Sequence, residues 1–293
     1  MHIGLQIPSF TWPGGEAALR PTLIRIAQTA DEGGFYSIWV MDHFFQIPSV
    51  GEANEPMLES YSTLNFISAV TQKVKLGALV TGVVYRHPGI LVKEVSTLDV
   101  LSSGRAYLGI GAAWNDREAK GLGIPFPPLK ERFERLEETL QIAHQMWRGE
   151  MRPFEGQYYH LAEPLNVPAP LTRPHPPILI GGMGEEKTFR LIARYADACN
   201  LFTRAGTETV RAKLEALRRR CDEAGRNYDD IEKTALSSIY LGPGKMTAAD
   251  VIAHCREMAG LGIQHLIFNM PNVYEIRPLE TLAREVIPEV AGL

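Results

Sequence analysis

The chain has 293 residues, of which 45% are hydrophobic and 22% are charged, a composition typical of a globular protein. Its 30 basic and 34 acidic residues give a formal charge of −4, so we expect no nucleic acid partner. No apolar run approaches the roughly 18 residues of a membrane span, the first residues lack a secretory signal, and the three cysteines stand far apart. We therefore expect a cytoplasmic protein with no disulfide framework, metal site or membrane contact.

Short apolar runs alternate with longer amphipathic segments along the chain, which predicts strands alternating with helices. The predicted strands cover residues 3–7, 36–41, 74–80, 105–110, 178–180, 198–202, 234–241 and 265–269. The predicted helices cover residues 19–33, 60–72, 89–101, 129–147, 185–195, 207–224, 247–261 and 278–290. The alternation breaks once, at about residues 150–176, where a segment rich in proline is interpreted as an inserted arm.

Eight strand–helix units favour a single α/β domain over residues 1–293, a (β/α)8 TIM barrel whose arm lies between helix 4 and strand 5. An open, doubly wound sheet is the alternative. In such barrels the chemistry takes place at the carboxyl ends of the strands, so the residues there are the candidates for a functional site.

The second predicted strand ends in Asp42, His43 and Phe44. A histidine changes its protonation near neutral pH, which suits it to proton transfer. Neighbouring side chains of an extended strand point to opposite faces, so no Asp42–His43 dyad is predicted. The alternative is an aspartate that caps a helix beside a surface histidine.

Glycine and alanine follow two other strands. The fourth predicted strand ends in Gly111, Ala112, Ala113 and Trp114, and the fifth ends in Gly181-Gly182-Met183-Gly184 before a helix. Small residues let a ligand approach the backbone, and N–H groups at a helix start suit a phosphate. The alternative is that these glycines only form the turns.

Other segments carry no functional signal by themselves. Residues 79–88, which include Tyr85 and Arg86, indicate only a strand and a turn. Arg105 and the run Lys130-Glu131-Arg132 are interpreted as charges on solvated surfaces.

Several segments together resemble the bacterial-luciferase-like family of flavin and deazaflavin oxidoreductases. The resemblance is carried by WVMDH (39–43), SGR (103–105), GIGAAW (109–114), GIPFPP (123–128) and ERFERLEE (131–138), and it covers essentially the whole chain. Each piece alone would be weak, but the linked set is specific. The sequences of these segments are most similar to those of the branch that uses coenzyme F420, an 8-hydroxy-5-deazaflavin, rather than FMN.

The resemblance implies a homodimeric barrel with the deazaflavin ring across its mouth. It implies that Asp42 lies near the ring and that His43, the catalytic candidate, lies at the reactive face. It also implies a non-prolyl cis peptide between Leu79 and Val80, with Thr81 beside it, behind the ring. The remaining implied cofactor contacts are Gly111, Ala112 and Ala113 at the side chain and Gly181, Gly182, Met183 and Gly184 at the phosphate.

One departure from the family concerns the substrate. Trp114 stands where the sugar-phosphate dehydrogenases of the family carry a glutamate, which favours an apolar, unsaturated or carbonyl substrate in a pocket formed with Phe44. The resemblance implies an F420-dependent oxidoreductase that transfers a hydride at C5 of the deazaflavin. The alternatives are an FMN-dependent monooxygenase supplied by a partner flavin reductase and a non-catalytic flavin-binding barrel.

Overall fold

The computed structural model describes all residues from Met1 to Leu293. The strands are β1 (His2–Ile7), β2 (Ser37–Val40), β3 (Lys75–Ala78), β4 (Thr81–Gly82), β5 (Leu108–Gly111), β6 (Phe154–Glu155), β7 (His160–Leu161), β8 (Ile178–Gly181), β9 (Ala198–Phe202), β10 (Glu232–Ser238) and β11 (His265–Asn269). Nine parallel strand segments follow one another in the order β3-β2-β1-β11-β10-β9-β8-β5-β4, and β6 pairs with β7 in a separate antiparallel hairpin.

The sheet closes on itself as a barrel. The Leu76 N–H donates to the Arg105 carbonyl at 2.8 Å and the Tyr107 N–H donates to the Leu76 carbonyl at 2.8 Å, which joins β3 to the residues before β5. The segments β3 and β4 are consecutive parts of one barrel position, separated by Leu79 and Val80. The predicted (β/α)8 barrel is therefore confirmed.

Helices surround the barrel and follow the predicted order, with differences at several ends. The helices are α1 (Glu16–Glu32), α2 (Ser60–Ala69), α3 (Pro88–Leu101), α4 (Asp116–Gly121), α5 (Leu129–Trp147), α6 (Thr188–Tyr195), α7 (Thr207–Ala224), α8 (Ala248–Gly260), α9 (Arg277–Thr281), a π-helical turn (Leu282–Val286) and α10 (Ile287–Val290). The predicted bounds of α5 and α7 are confirmed, whereas α4 and the hairpin were not predicted. The last predicted helix is divided because Pro288 has no N–H to continue the regular hydrogen-bond ladder.

A second, smaller apolar cluster occupies the barrel interior around Trp39. Gly77 and Gly109 make the space for it: a Cβ on Gly77 would lie 2.5 Å from the Trp39 ring, and a Cβ on Gly109 would lie 2.0 Å from the Ala78 carbonyl oxygen. The larger apolar cluster fills the layer between strands and helices. This filled interior supports the strand ends at which the site is built.

The inserted arm lies along the outer surface of α3 and α5. Glu138 of α5 accepts hydrogen bonds from the backbone N–H groups of residues 157–159, and Asp99 of α3 accepts them from Leu171 and Thr172. Two carboxylates thus hold the arm through its backbone, on the side of the barrel.

Two arginines that were interpreted as solvated are buried, so that interpretation was wrong. Arg105 is 7% exposed, and its guanidinium donates to the carbonyls of Ser68 and Thr71 at the carboxyl end of α2. These carbonyls have no partner within the helix, so a cation there is stabilised. Arg132 is also buried and donates to the carbonyls of Ala112 and Ala113.

No helix is both long enough and apolar enough to cross a membrane. The three cysteines are free and buried.

Candidate active site

His43, at the carboxyl end of β2, is bound to a glutamate that the sequence interpretation missed. His43 Nδ1 lies 2.6 Å from Oε1 of Glu118 in α4, and the Glu118 side chain is 0% exposed. The Tyr85 hydroxyl donates to the same oxygen at 2.6 Å. The other oxygen, Oε2, accepts the backbone N–H groups of Phe44 at 2.6 Å and Phe45 at 3.1 Å. Three donors and the Nδ1 atom of His43 therefore surround one buried carboxylate.

Burial and these hydrogen bonds shift the pKa values of Glu118 and Tyr85. Burial by itself would raise the pKa of Glu118, but the hydrogen bonds from His43, Tyr85 and the Phe45 N–H lower it below its ordinary value. Burial and the adjacent Glu118 carboxylate raise the pKa of Tyr85 well above its ordinary range. Glu118 is thus an anion at neutral pH and Tyr85 is a neutral donor.

Trp114 forms the exposed wall beside His43. The two rings meet edge to face, with centroids 5.5 Å apart and an interplanar angle of 73°. Trp114 is 61% exposed. The Phe44 ring instead packs against the Tyr85 ring, with the two ring centroids 5.2 Å apart. Of the two predicted pocket residues, Trp114 therefore lies in direct contact with His43, and Phe44 packs against the tyrosine that supports it.

Asp42 is buried, and both of its carboxylate oxygens are hydrogen bonded. Its Oδ1 accepts from the Ser60 hydroxyl at 2.6 Å, its Oδ2 accepts from the Gly82 N–H at 3.0 Å, and both oxygens accept from Arg86. Arg86 also pairs with Glu59 at 2.5 Å and with Glu94 at 3.1 Å. Protein donors thus engage both oxygens of Asp42, and its place beside the cofactor ring stays a prediction.

The peptide bond between Leu79 and Val80 is cis, as the resemblance implied. Gly111 and Gly181 make room for the Val80 side chain, because a Cβ on either would lie 3.0 Å from one of its methyl groups. The Thr81 hydroxyl is buried and hydrogen bonded to Tyr61 at 2.8 Å. These residues therefore shape the barrel mouth with Val80 at its surface.

The loop after β8 presents unpaired backbone donors. The N–H groups of Met183, Gly184 and Glu185 form no hydrogen bond within the chain. Gly182 has a φ of 122°, a conformation that L-residues rarely adopt, and α6 begins at Thr188 instead of the predicted residue 185. The predicted phosphate site is thus a loop of open N–H groups before the helix and not the first turn of the helix itself.

Ala112 and Ala113 lie between β5 and Trp114. Their carbonyls accept from Arg132 at 3.2 and 2.5 Å, and Ala113 has a φ of 58°. The small residues thus lead the chain from β5 to Trp114 and into α4, where Glu118 lies.

The structure brings His43 and Trp114 together and keeps Asp42 in a separate network. Glu118 had a local signal, since Asn115 and Glu118 stand at the N-cap and third position of a short helix, a pattern that favours a helix start. No local signal shows that its carboxylate is buried against His43 and Tyr85, which lie 75 and 33 residues away in the chain.

Comparison with known proteins agrees with this architecture. The family described as luciferase-like monooxygenase matches residues 1–275. An F420-dependent glucose-6-phosphate dehydrogenase from Nakamurella multipartita is 34% identical over 217 residues, which are 72% of this chain and 60% of that protein. This chain thus spans less than two thirds of that curated relative.

Solved structures share the fold along the whole chain. Monooxygenase RslO1 from Streptomyces bottropensis has a TM-score of 0.83 at 20% identity, covering 98% of this chain and 99% of that one. The coenzyme F420-dependent tetrahydromethanopterin reductase from Methanopyrus kandleri has a TM-score of 0.80 at 17% identity, covering 99% of this chain and 100% of that one. The chain belongs to the luciferase-like monooxygenase family, and the membership that its motifs indicated is confirmed.

Proposed function

We propose that this protein is a coenzyme F420-dependent oxidoreductase that transfers a hydride between C5 of the deazaflavin and a small, uncharged organic substrate. The observation that carries the proposal is a histidine whose Nδ1 is held by a buried carboxylate while its ring faces an exposed tryptophan at the barrel mouth. The name of the Nakamurella relative supports F420 as the cofactor.

The residues at the mouth fit a flat cofactor that carries a phosphate. The open N–H groups of Met183, Gly184 and Glu185 would hold the phosphate, as backbone donors do in other anion sites. Val80 and the Leu79–Val80 peptide would support the ring, and the small Ala112 and Ala113 would leave space for the side chain. When bound, the deazaflavin supplies the site from which, or to which, the hydride moves.

His43 would move the accompanying proton. In reduction of a carbonyl or conjugated double bond, the carbon that gains the hydride leaves negative charge on a neighbouring atom, and the His43 imidazolium neutralises it by giving a proton from Nε2. In the reverse direction neutral His43 takes that proton while the substrate carbon loses the hydride. Such a group contributes about 10²–10⁴-fold to the rate.

The charges near the mouth favour an uncharged substrate. Arg86 is bound by Asp42 and Glu59, so it is not free to hold a substrate phosphate, and Nη1 of Arg132 is bound by two backbone carbonyls. Trp114 offers an apolar face instead. We therefore propose an apolar carbonyl or unsaturated compound rather than a sugar phosphate.

Binding of F420 and of FMN to the purified protein, followed by tryptophan fluorescence, tests the proposal. Of the four tryptophans, Trp12, Trp39 and Trp147 are buried and Trp114 is exposed, so quenching should come mainly from Trp114. Saturable quenching by F420 and none by FMN is expected, and Trp114→Phe should lose most of the signal. Binding of FMN alone would favour a monooxygenase supplied by a flavin reductase, and binding of neither would favour a non-catalytic barrel.

We also propose that two copies associate through the exposed apolar residues of α3 and the arm. Ile90 and Leu101 of α3 are exposed, and so are Leu165, Val167 and Leu171 of the arm that packs on this helix. Exposed apolar residues grouped on one face usually mark an interface. The homodimer that the resemblance implies would cover them.

A further inference from the structure

We propose that Glu118 is a positioning residue that fixes the tautomer of His43, with the proton on Nδ1 and the lone pair of Nε2 directed to the substrate. The catalytic consequence rests on the function proposed above, but the tautomer itself does not.

The contact between His43 and Glu118 holds one proton, and the other partners of Glu118 decide which residue carries it. Glu118 accepts two backbone N–H groups, which can only donate, and the Tyr85 hydroxyl, which a raised pKa keeps protonated. A carboxyl group that accepts these three donors is stabilised as the anion, so Glu118 has no proton to offer. The 2.6 Å contact to His43 Nδ1 therefore requires the proton on the imidazole.

The proton on Nδ1 of His43 determines the state of the other ring nitrogen, Nε2. A neutral imidazole has one donor nitrogen and one acceptor nitrogen, so an Nδ1–H leaves Nε2 as the acceptor. Nε2 forms no hydrogen bond within the chain, and the His43 side chain is 13% exposed next to Trp114. The accessible atom is thus the one able to take a proton, or to give it once the ring is charged.

The Glu118 carboxylate also fixes the position of the His43 ring. Its second oxygen holds the N–H groups of Phe44 and Phe45, the residues that follow His43, and Glu118 itself lies four residues after Trp114. The contact therefore fixes the histidine, its loop and the facing tryptophan relative to one another. A group held in this way loses less rotational freedom when it reacts.

The test is the tautomer of His43 in the protein without any cofactor, read from ¹⁵N chemical shifts of labelled histidine at a pH where the ring is neutral. The chain has eight histidines, and the His43→Gln variant identifies the signal. The wild-type protein should show a protonated Nδ1 and an unprotonated Nε2. A wild-type signal with the proton on Nε2 would overturn the proposal.

Glu118→Gln should reverse the tautomer. The glutamine carbonyl oxygen must stay with the two N–H groups of Phe44 and Phe45, which places its NH₂ group against His43 and Tyr85. A donor facing Nδ1 requires a lone pair there, so the proton moves to Nε2. An unchanged tautomer in a folded Glu118→Gln protein would contradict the proposal.

Tyr85→Phe is the matched control, because it removes another donor to the same carboxylate oxygen and leaves the acceptor in place. Its His43 tautomer should be that of the wild-type protein. A reversal in this variant would show that Tyr85, not Glu118, sets the ring, and would overturn the proposal.

Replacing Glu118 should lower the turnover number kcat and leave KM nearly unchanged. Glu118→Gln should lower kcat by about 10²–10⁴-fold, as expected for a catalytic histidine in the wrong tautomer, with KM changed by less than about threefold. Glu118→Asp, which keeps the charge, should recover part of kcat. A wild-type protein without F420-linked activity would refute the proposed function and leave the tautomer assignment standing on the spectra.

Discussion

Arg86 binds Asp42 through two parallel hydrogen bonds, from Nη1 to Oδ2 at 2.9 Å and from Nη2 to Oδ1 at 3.0 Å. This planar pair joins the end of β2 to the loop after β4, and Gly82 and Ser60 complete the coordination of the carboxylate. Asp42 directly precedes His43 in the chain, so the pair fixes the backbone at the end of β2.

Arg86→Met should destabilise the fold strongly, because it leaves Asp42, Glu59 and Glu94 together without a cation. Loss of one partner of a buried pair costs about 3–5 kcal/mol. Arg86→Lys should cost less, since it keeps the charge and loses only the two-pronged geometry. Urea unfolding of the three proteins measures the difference, and a loss below about 1 kcal/mol in Arg86→Met would contradict this role.

Glu59 should make stability depend on pH in the acid range. Burial alone raises its pKa, but the N–H groups of Ser62 and Tyr61 and the Arg86 guanidinium lower it to about 2 from an ordinary 4.5. Because the pKa is lower in the folded state, the stabilisation is complete above about pH 4.5 and is lost as the pH falls towards 2.

The matching variant is Glu59→Gln, which also weakens the cap of α2 and should cost about 1 kcal/mol at pH 7. Unfolding of both proteins between pH 7 and pH 3 should show this difference shrinking as the pH falls. A difference that stays constant over the whole range would contradict the role assigned to the carboxylate.

The loop after β8 can be tested at Gly184. A valine at Gly182 would be strained by the φ of 122°, so any loss of binding there would be mixed with a loss of stability. Gly184 has no such φ, and its nearest neighbour is the Thr188 hydroxyl, 3.1 Å from a built Cβ. Gly184→Val should therefore weaken F420 binding about tenfold or more, which corresponds to about 1.4 kcal/mol.

Gly260→Val is the matched control for this loop, since nothing lies within 4 Å of a Cβ built there and it is at the end of α8. Titration and thermal unfolding of both variants separate binding from stability. Normal F420 affinity in a folded Gly184→Val protein would remove the phosphate assignment.

The sequence predicted the barrel because apolar periodicity is set by burial against the sheet, which repeats along the chain. The bounds of α5, α7, β9 and β11 were all predicted in full. The start of α6 was not, because the positive φ of Gly182 and the open loop after it depend on tertiary structure.

The site was only partly predictable, because its contacts also depend on tertiary structure. His43 and Trp114 were singled out as strand-end residues, and the structure places them in contact. Arg86 and Glu118 were missed because no local pattern reveals their partners. The Arg86 guanidinium binds Asp42, 44 residues away, and the Glu118 carboxylate contacts His43, 75 residues away.

The proposed dimer can be examined by sedimentation. The chain has a mass of 32.6 kDa, so a dimer would be twice that mass at micromolar concentration. Leu101→Lys should give the monomer, because it places a charge among the exposed apolar residues of α3 and the arm, and Met151→Lys, at an exposed residue outside that set, should not. A wild-type monomer at micromolar concentration would contradict the dimer.

The most direct test of the central claim compares wild-type protein and His43→Ala in single-turnover hydride transfer with F420, with the cofactor affinity of each measured separately. If His43 moves the proton, the variant should lose at least about a hundredfold in rate and keep nearly its full affinity for the cofactor. A variant that keeps turnover and loses affinity would show that His43 only positions the ring, and would contradict the account.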